Sequence, residues 1–176
     1  MLPLTLTRFA DLIDRINATL ARGAALCALA LVVVQVGIVV LRVFFGTGSI
    51  WMQEALFYIH SFMFLFAAGW TLKADGHVRV DIFYASALPR TRALIDIIGA
   101  LVLLLPFMAA LLWLTWPYAA RAFAIQESSH ESGGLPLVFA LKAMLPLFAI
   151  HLALQGIAQA LRAVHDLRKR SDVQPS

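Results

Sequence analysis

An all-α membrane protein is the fold class this sequence predicts: four transmembrane helices preceded by an N-terminal amphipathic interfacial helix, with both termini cytoplasmic. Three observations carry that expectation. Hydrophobic residues fill 61% of the 176 positions and charged residues only 14%, and the mean hydropathy is +0.84. So few polar side chains cannot clothe a soluble domain of this size. Four apolar runs, 24–45, 55–72, 94–116 and 135–161, are long enough at about 1.5 Å per residue to cross roughly 30 Å of hydrocarbon, the second only just. Finally, eleven of the fourteen Lys and Arg fall before the first run, between the second and third, or after the fourth. A bias of that kind marks the cytoplasmic side.

Residues 1–176 read as a single integral membrane domain. Within 6–22, Phe9, Leu12, Ile13, Ile16 and Leu20 recur at helical spacing while Arg8, Asp11, Asp14 and Arg15 occupy other faces. That pattern describes an amphipathic helix lying at the interface, or an arm that docks a partner. The run 24–45 has no proline and exceeds the usual length of a signal-peptide core, so it is expected to remain as an anchor. Cys27 within it has no partner cysteine in the chain and reads as a small hydrophobe. Gly46, Gly48 and Ser49 make the turn into the second run. Arg42 and Glu54 flank this turn at similar depth, where they either pair or snorkel separately to the outer interface.

Between the second and third runs the charge is dense: Lys73, Asp75, His77, Arg79, Asp81, Arg90 and Arg92. Here the chain must surface and return. Gly76 is expected to end the second helix in the left-handed C′ position and Pro89 to open the third. Residues 78–84 alternate as a short interfacial segment would. Gly99 and Pro106 in the third run and Pro146 in the fourth mark candidate kinks. Loop 117–134 is the largest outward surface, after which Gly133, Gly134 and Pro136 lead into the fourth run. Phe44, Phe45, Trp51, Trp113, Trp116 and Tyr118 form an outer aromatic belt, with Trp70 and Tyr84 on the inner side. The tail 163–176 is basic and cytoplasmic, suited to anionic lipid head groups rather than to nucleic acid.

Five histidines raise a haem hypothesis, because paired histidines between helices hold haem in many membrane proteins. His60 lies roughly 9 Å and His151 roughly 23 Å along their helices from the outer side, so depth argues against the pair, and an interhelical hydrogen bond is the simpler expectation for each. Ser128, Ser129, His130 and Glu131 place hydrolase-type atoms side by side in a loop, but adjacency in sequence is not a triad. No internal repeat of the kind common in secondary carriers is present. Lys142, inside the fourth run, calls for a partner or a lipid phosphate, or else snorkels outward. Neither a metal site nor an enzymatic activity is expected.

The order of features resembles the small membrane subunit, the Q or DctQ-like component, of tripartite ATP-independent periplasmic (TRAP) transporters. The resemblance rests on the amphipathic start, the four spans, Trp51-Met52-Gln53-Glu54, Gly76-His77-Val78-Arg79-Val80-Asp81 with Leu88-Pro89, and Glu127-Ser128 through Gly133-Gly134-Leu135-Pro136, together with Lys142, Pro146 and Gln155. It implies a non-catalytic subunit without cofactor in the bacterial inner membrane. That subunit would scaffold a large elevator-type membrane subunit and help dock a periplasmic substrate-binding protein for sodium-coupled uptake of an organic acid. By the same resemblance Arg42, Glu54, Glu127, Ser128 and Glu131 would face partners outside, and His77, Arg79 and Asp81 would hold the inner loop. Two other readings stay open on the residues alone: a four-helix redox subunit binding haem, and a free-standing membrane assembly factor. A Soret band would mark the first; stable behaviour without a large partner would mark the second.

Overall fold

The apolar runs fold as four helices: α1 (Leu4–Phe45), α2 (Ile50–Lys73), α3 (Pro89–Ala124) and α4 (Val138–Val173). Each contains a stretch long and apolar enough to cross a membrane. The computed structural model describes the backbone of residues 4–77, 84 and 86–173, and the side chains of these except 4–7, 166 and 168–173. The interfacial segment expected at 78–84, with Arg79 and Asp81, therefore falls almost wholly outside the described residues. No strand occurs among the described residues.

Several boundaries differ from the sequence expectation, each for a physical reason. The amphipathic stretch and the first span are one uninterrupted helix of 42 residues. Gly23 does not break it, because its bare Cα faces α2, where an added Cβ would lie 3.4 Å from the Phe62 ring. At about 1.5 Å per residue α1 is about 63 Å long, roughly twice the hydrocarbon thickness. α4 likewise runs past the expected 161 to Val173, so much of the basic tail is helical. α2 begins at Ile50 rather than 55, because the Ser49 hydroxyl caps the helix by accepting the Met52 N–H at 3.4 Å. α3 continues through Pro117 to Ala124, which shortens the expected loop 117–134 to residues 125–137.

The ends of α2 and α3 share a design. At α2 the left-handed residue is Asp75 (φ 57°), not Gly76. The Asp75 N–H bonds the Leu72 carbonyl at 3.3 Å and the Gly76 N–H bonds the Thr71 carbonyl at 2.9 Å. At α3, Gln126 (φ 48°) takes the same place, with Gln126 N–H to Phe123 and Glu127 N–H to Ala122. Both are Schellman closures that satisfy the last carbonyls of the helix. A short polar side chain such as Asp tolerates the left-handed conformation better than most, which is why Gly76 is not required there.

Pro89 opens α3 as expected. The irregularity expected at Gly99 and Pro106 takes the form of a π-helical stretch, Gly99–Leu104, closed by the Leu105 N–H on the Ala100 carbonyl. A wider turn just before a proline gives its ring room where a regular α-turn would clash.

In the array, α1 lies against α2, α2 against α4, and α4 against α3; α1 also meets α4. The interfaces are built on small residues, as membrane helices require for close approach. Ala149 and Leu152 of α4 pack with Met108 of α3 and, at the margin, with Ala68 and Leu72 of α2. Gly156 of α4 lets Leu104 approach to where a Cβ would sit 2.5 Å from its Cδ2. Ala10 and Ile13 of α1 close on Ala158 of α4. The turn 46–49 and loop 125–137 lie at one end of the array, the loop end. The start of α1 and the last turns of α4 lie at the other, the terminal end.

Candidate functional site

Polar side chains inside this apolar array collect at its two ends. At the loop end, the cap at Ser49 sets Glu54 in the second turn of α2. Its Oε1 accepts the Ser129 hydroxyl and its Oε2 accepts the Leu135 backbone N–H at 2.6 Å. Gly134 lies between these partners: a Cβ there would come within 2.7 Å of Glu54 Oε1 and against the Ser129 side chain. Glycine is thus required for contact rather than for dihedral freedom at 134, whereas Gly133, at φ 84°, is in the left-handed region. The loop also closes on itself through Ser129 N–H to the Leu135 carbonyl at 3.1 Å, Gly134 N–H to Glu131 at 3.0 Å, and Glu131 N–H to Ser129 Oγ at 3.1 Å.

A second tether lies one helix away. Lys142 Nζ is 2.7 Å from both carboxylate oxygens of Glu127 and 4.3 Å from the centre of the Tyr118 ring. The Phe139 N–H donates to the Glu127 carbonyl at 3.2 Å, and Phe139 meets Phe123 edge-on at 5.3 Å. Lys142 thus finds its counter-charge within the chain. Ser128, His130 and Glu131 of the tethered loop are exposed.

Arg42 and Glu54 are not brought together. Both Glu54 oxygens are engaged by the loop, while Arg42 is exposed and among the described residues forms no ion pair or hydrogen bond. His77 lies exposed just past the α2 closure.

The terminal end brings together residues that the sequence does not connect. Asp14 of α1 pairs with Lys73 of α2 at 3.1 Å and with Arg162 of α4 at 2.7 Å, and Arg162 also donates to the Ala10 carbonyl at 3.1 Å. One turn on, Asn17 donates to Gln155 Oε1, and both are fully buried. Gly69 of α2 faces this pair so closely that a Cβ would overlap Asn17 Oδ1 and His151 Nε2 together. The His151 ring lies 5.8 Å from that of Phe66. Asn17 Oδ1, His151 Nε2, Gln155 Nε2 and Asp14 Oδ1 are buried without a hydrogen-bond partner among the described residues. One signal was available in the sequence: Asn17 sits on the apolar face of 6–22, where only a buried partner explains a carboxamide.

His151 thus belongs to the terminal junction, whereas His60 faces a groove between α1 and α2 and stacks on Phe64 at 6.2 Å. Among the described residues, no three His, Cys, Asp or Glu side chains gather as metal ligands would.

Comparison with known proteins gives one family. The model described as tripartite ATP-independent periplasmic transporters, DctQ component, matches residues 29–166. That span includes α2, α3, loop 125–137, α1 from residue 29 and α4 as far as residue 166. Neither a curated protein nor a solved structure matches the chain.

Proposed function

The chain belongs to the DctQ component family of tripartite ATP-independent periplasmic transporters, and on that premise we propose that it is the fixed, non-catalytic partner of a large elevator-type membrane subunit. In this reading it lies in the bacterial inner membrane with both termini cytoplasmic, and loop 125–137 faces the periplasm. There the loop helps seat the substrate-binding protein, so that an organic acid can be taken up with sodium. The family places a small membrane component in a tripartite transporter; the finer roles are this proposal.

The observation that carries it is the tethering of the outer loop. Glu54 and Lys142, two charges within or beside the apolar runs, both hold loop 125–137 in one conformation. A surface held in advance loses little conformational freedom when a protein docks on it. Ser128, His130 and Glu131 are then the groups offered outward, while Glu54 and Glu127 act by positioning the loop.

Purification of the tagged chain from its native membranes in mild detergent tests the reading. A larger polytopic protein recovered in equal amount is expected, and the purified pair is expected to bind the periplasmic protein. Recovery of the chain alone, or with a haem absorption band, would overturn it.

A further inference from the structure

The face of α1 and α2 turned away from α4 carries polar groups that neither the fold nor the loop uses. On α1, Ala28, Val32, Gln35, Val39 and Arg42 follow one another at spacings of four, three, four and three, and all are exposed. On α2, Gln53, Phe57, His60 and Phe64 do the same and are likewise exposed. This alternation is the period of a helix that packs against another helix. Val32, Gln35, Phe57 and His60 from these two stripes line a groove of about 520 Å³ between α1 and α2.

Gln35 lies ten residues from Phe45, and His60 ten from Ile50, so each is about 15 Å of helix rise from the turn and well inside the hydrocarbon. Among the described residues neither makes a hydrogen bond, and Arg42, on the Gln35 stripe one turn short of the helix end, has no counter-charge. Lipid tails offer no hydrogen-bond partner, and such groups in hydrocarbon are costly unless a protein supplies one. The outward face of α3 is different: from Leu101 to Trp116 its exposed side chains are all apolar, including Leu103, Phe107, Trp113 and Leu114. That is the composition of a surface left to lipid.

We infer that the α1–α2 groove receives one transmembrane helix of the large membrane subunit, which bonds Gln35 and His60 with polar side chains and sets an acceptor, a carboxylate or the carbonyl end of a helix, opposite Arg42. The inference rests on the functional reading above, and names the face that reading leaves open. Lipid tails leave Gln35 and His60, both deep in the hydrocarbon, unmatched. A second copy of this chain brings Arg42 no acidic group from the same stripes, since neither contains Asp or Glu.

Site-specific photo-crosslinking in native membranes tests it, with the probe amino acid at Val36 or Phe57, at Leu103 or Phe107 as the comparison, and the tag on this chain. Crosslinks to the large subunit from Val36 and Phe57 but not from the α3 sites are expected. Crosslinks from the groove only to lipid or to a second copy of the chain, or to the large subunit from α3 instead, would overturn the proposal while leaving the functional reading intact. Failure to recover any large subunit without crosslinking would overturn that reading and the groove with it.

The double substitution Gln35→Leu, His60→Leu separates docking from folding, because it removes polar groups from an exposed apolar face. Yield and melting temperature of the isolated chain should hold or rise, while recovery of the large subunit falls roughly 10-fold, the loss of about two interhelical hydrogen bonds. Unchanged recovery would count against the groove.

Discussion

At the loop end, Glu54 reaches a hydroxyl and a backbone N–H in a segment far away in sequence, whereas at the terminal end Asp14 reaches two cations carried on long flexible stems. The difference lies in what each carboxylate holds. A backbone N–H cannot move without its segment, so Glu54 fixes the course of loop 125–137. Lys73 and Arg162 keep 31% and 38% of their side-chain surface exposed, and pairs of that kind add little to stability. The terminal end is held instead by packing around Gly69, Asn17 and Gln155, where no side-chain atom can be added.

The comparison predicts a graded set of outcomes. Gly69→Ala should be the most damaging change at either end. Its methyl must displace both Asn17 and His151, an overpacking that disturbs a buried polar pair and costs about 3 kcal/mol or more. A thermal melt in detergent should show a lower midpoint; an unaltered midpoint would mean that the junction is not close-packed.

Next in size, Glu54→Ala should free the loop without unfolding the array. Hydrogen exchange at Ser129 and Leu135 should quicken roughly 10-fold or more, as expected for local opening of a tethered loop, while α4 near Gln155 stays protected. Equal effects at both ends would erase the distinction drawn here. Lys142→Met should loosen the same loop less, since Glu54 still holds it. The smallest effect belongs to Asp14→Asn, at roughly 1 kcal/mol or less and reduced further in high salt. A large, salt-independent loss there would show that the ion pairs matter more than the packing.

Much of this was legible in the sequence. Four spans follow from hydropathy alone, Pro89 marks the start of α3, and the charge of Lys142 called for a partner. The sequence does not say which partner: another residue, a lipid phosphate or snorkelling outward all fit, and the structure gives Glu127, fifteen residues away. Loop closure of that kind brings together charges whose spacing has no helical period. For Glu54 the sequence offers a pair with Arg42 or separate snorkelling, because both residues flank one turn, yet the α3–α4 loop folds over the start of α2 and reaches Glu54 first.

The continuity of α1 was hidden for a related reason. Sequence periodicity separates an amphipathic stretch from an apolar one, but the backbone need not break where composition changes. Ala10, Ile13 and Asn17 find Ala158 and Gln155 on α4, so the helix has a surface to follow. Tertiary contacts of this sort have no local signature beyond a polar residue, Asn17, on an apolar face.

Hydrogen exchange of the wild-type chain at Ser129, Gly134, Leu135 and Phe139 tests the central claim most directly, for these N–H groups close the loop on itself, on Glu54 and on Glu127. Exchange as slow as in the adjoining turns of α3 and α4 is the result predicted for a loop tethered in one conformation. Exchange at the rate of an unstructured chain would contradict it, and with it the view that the loop end presents a surface prepared for a partner.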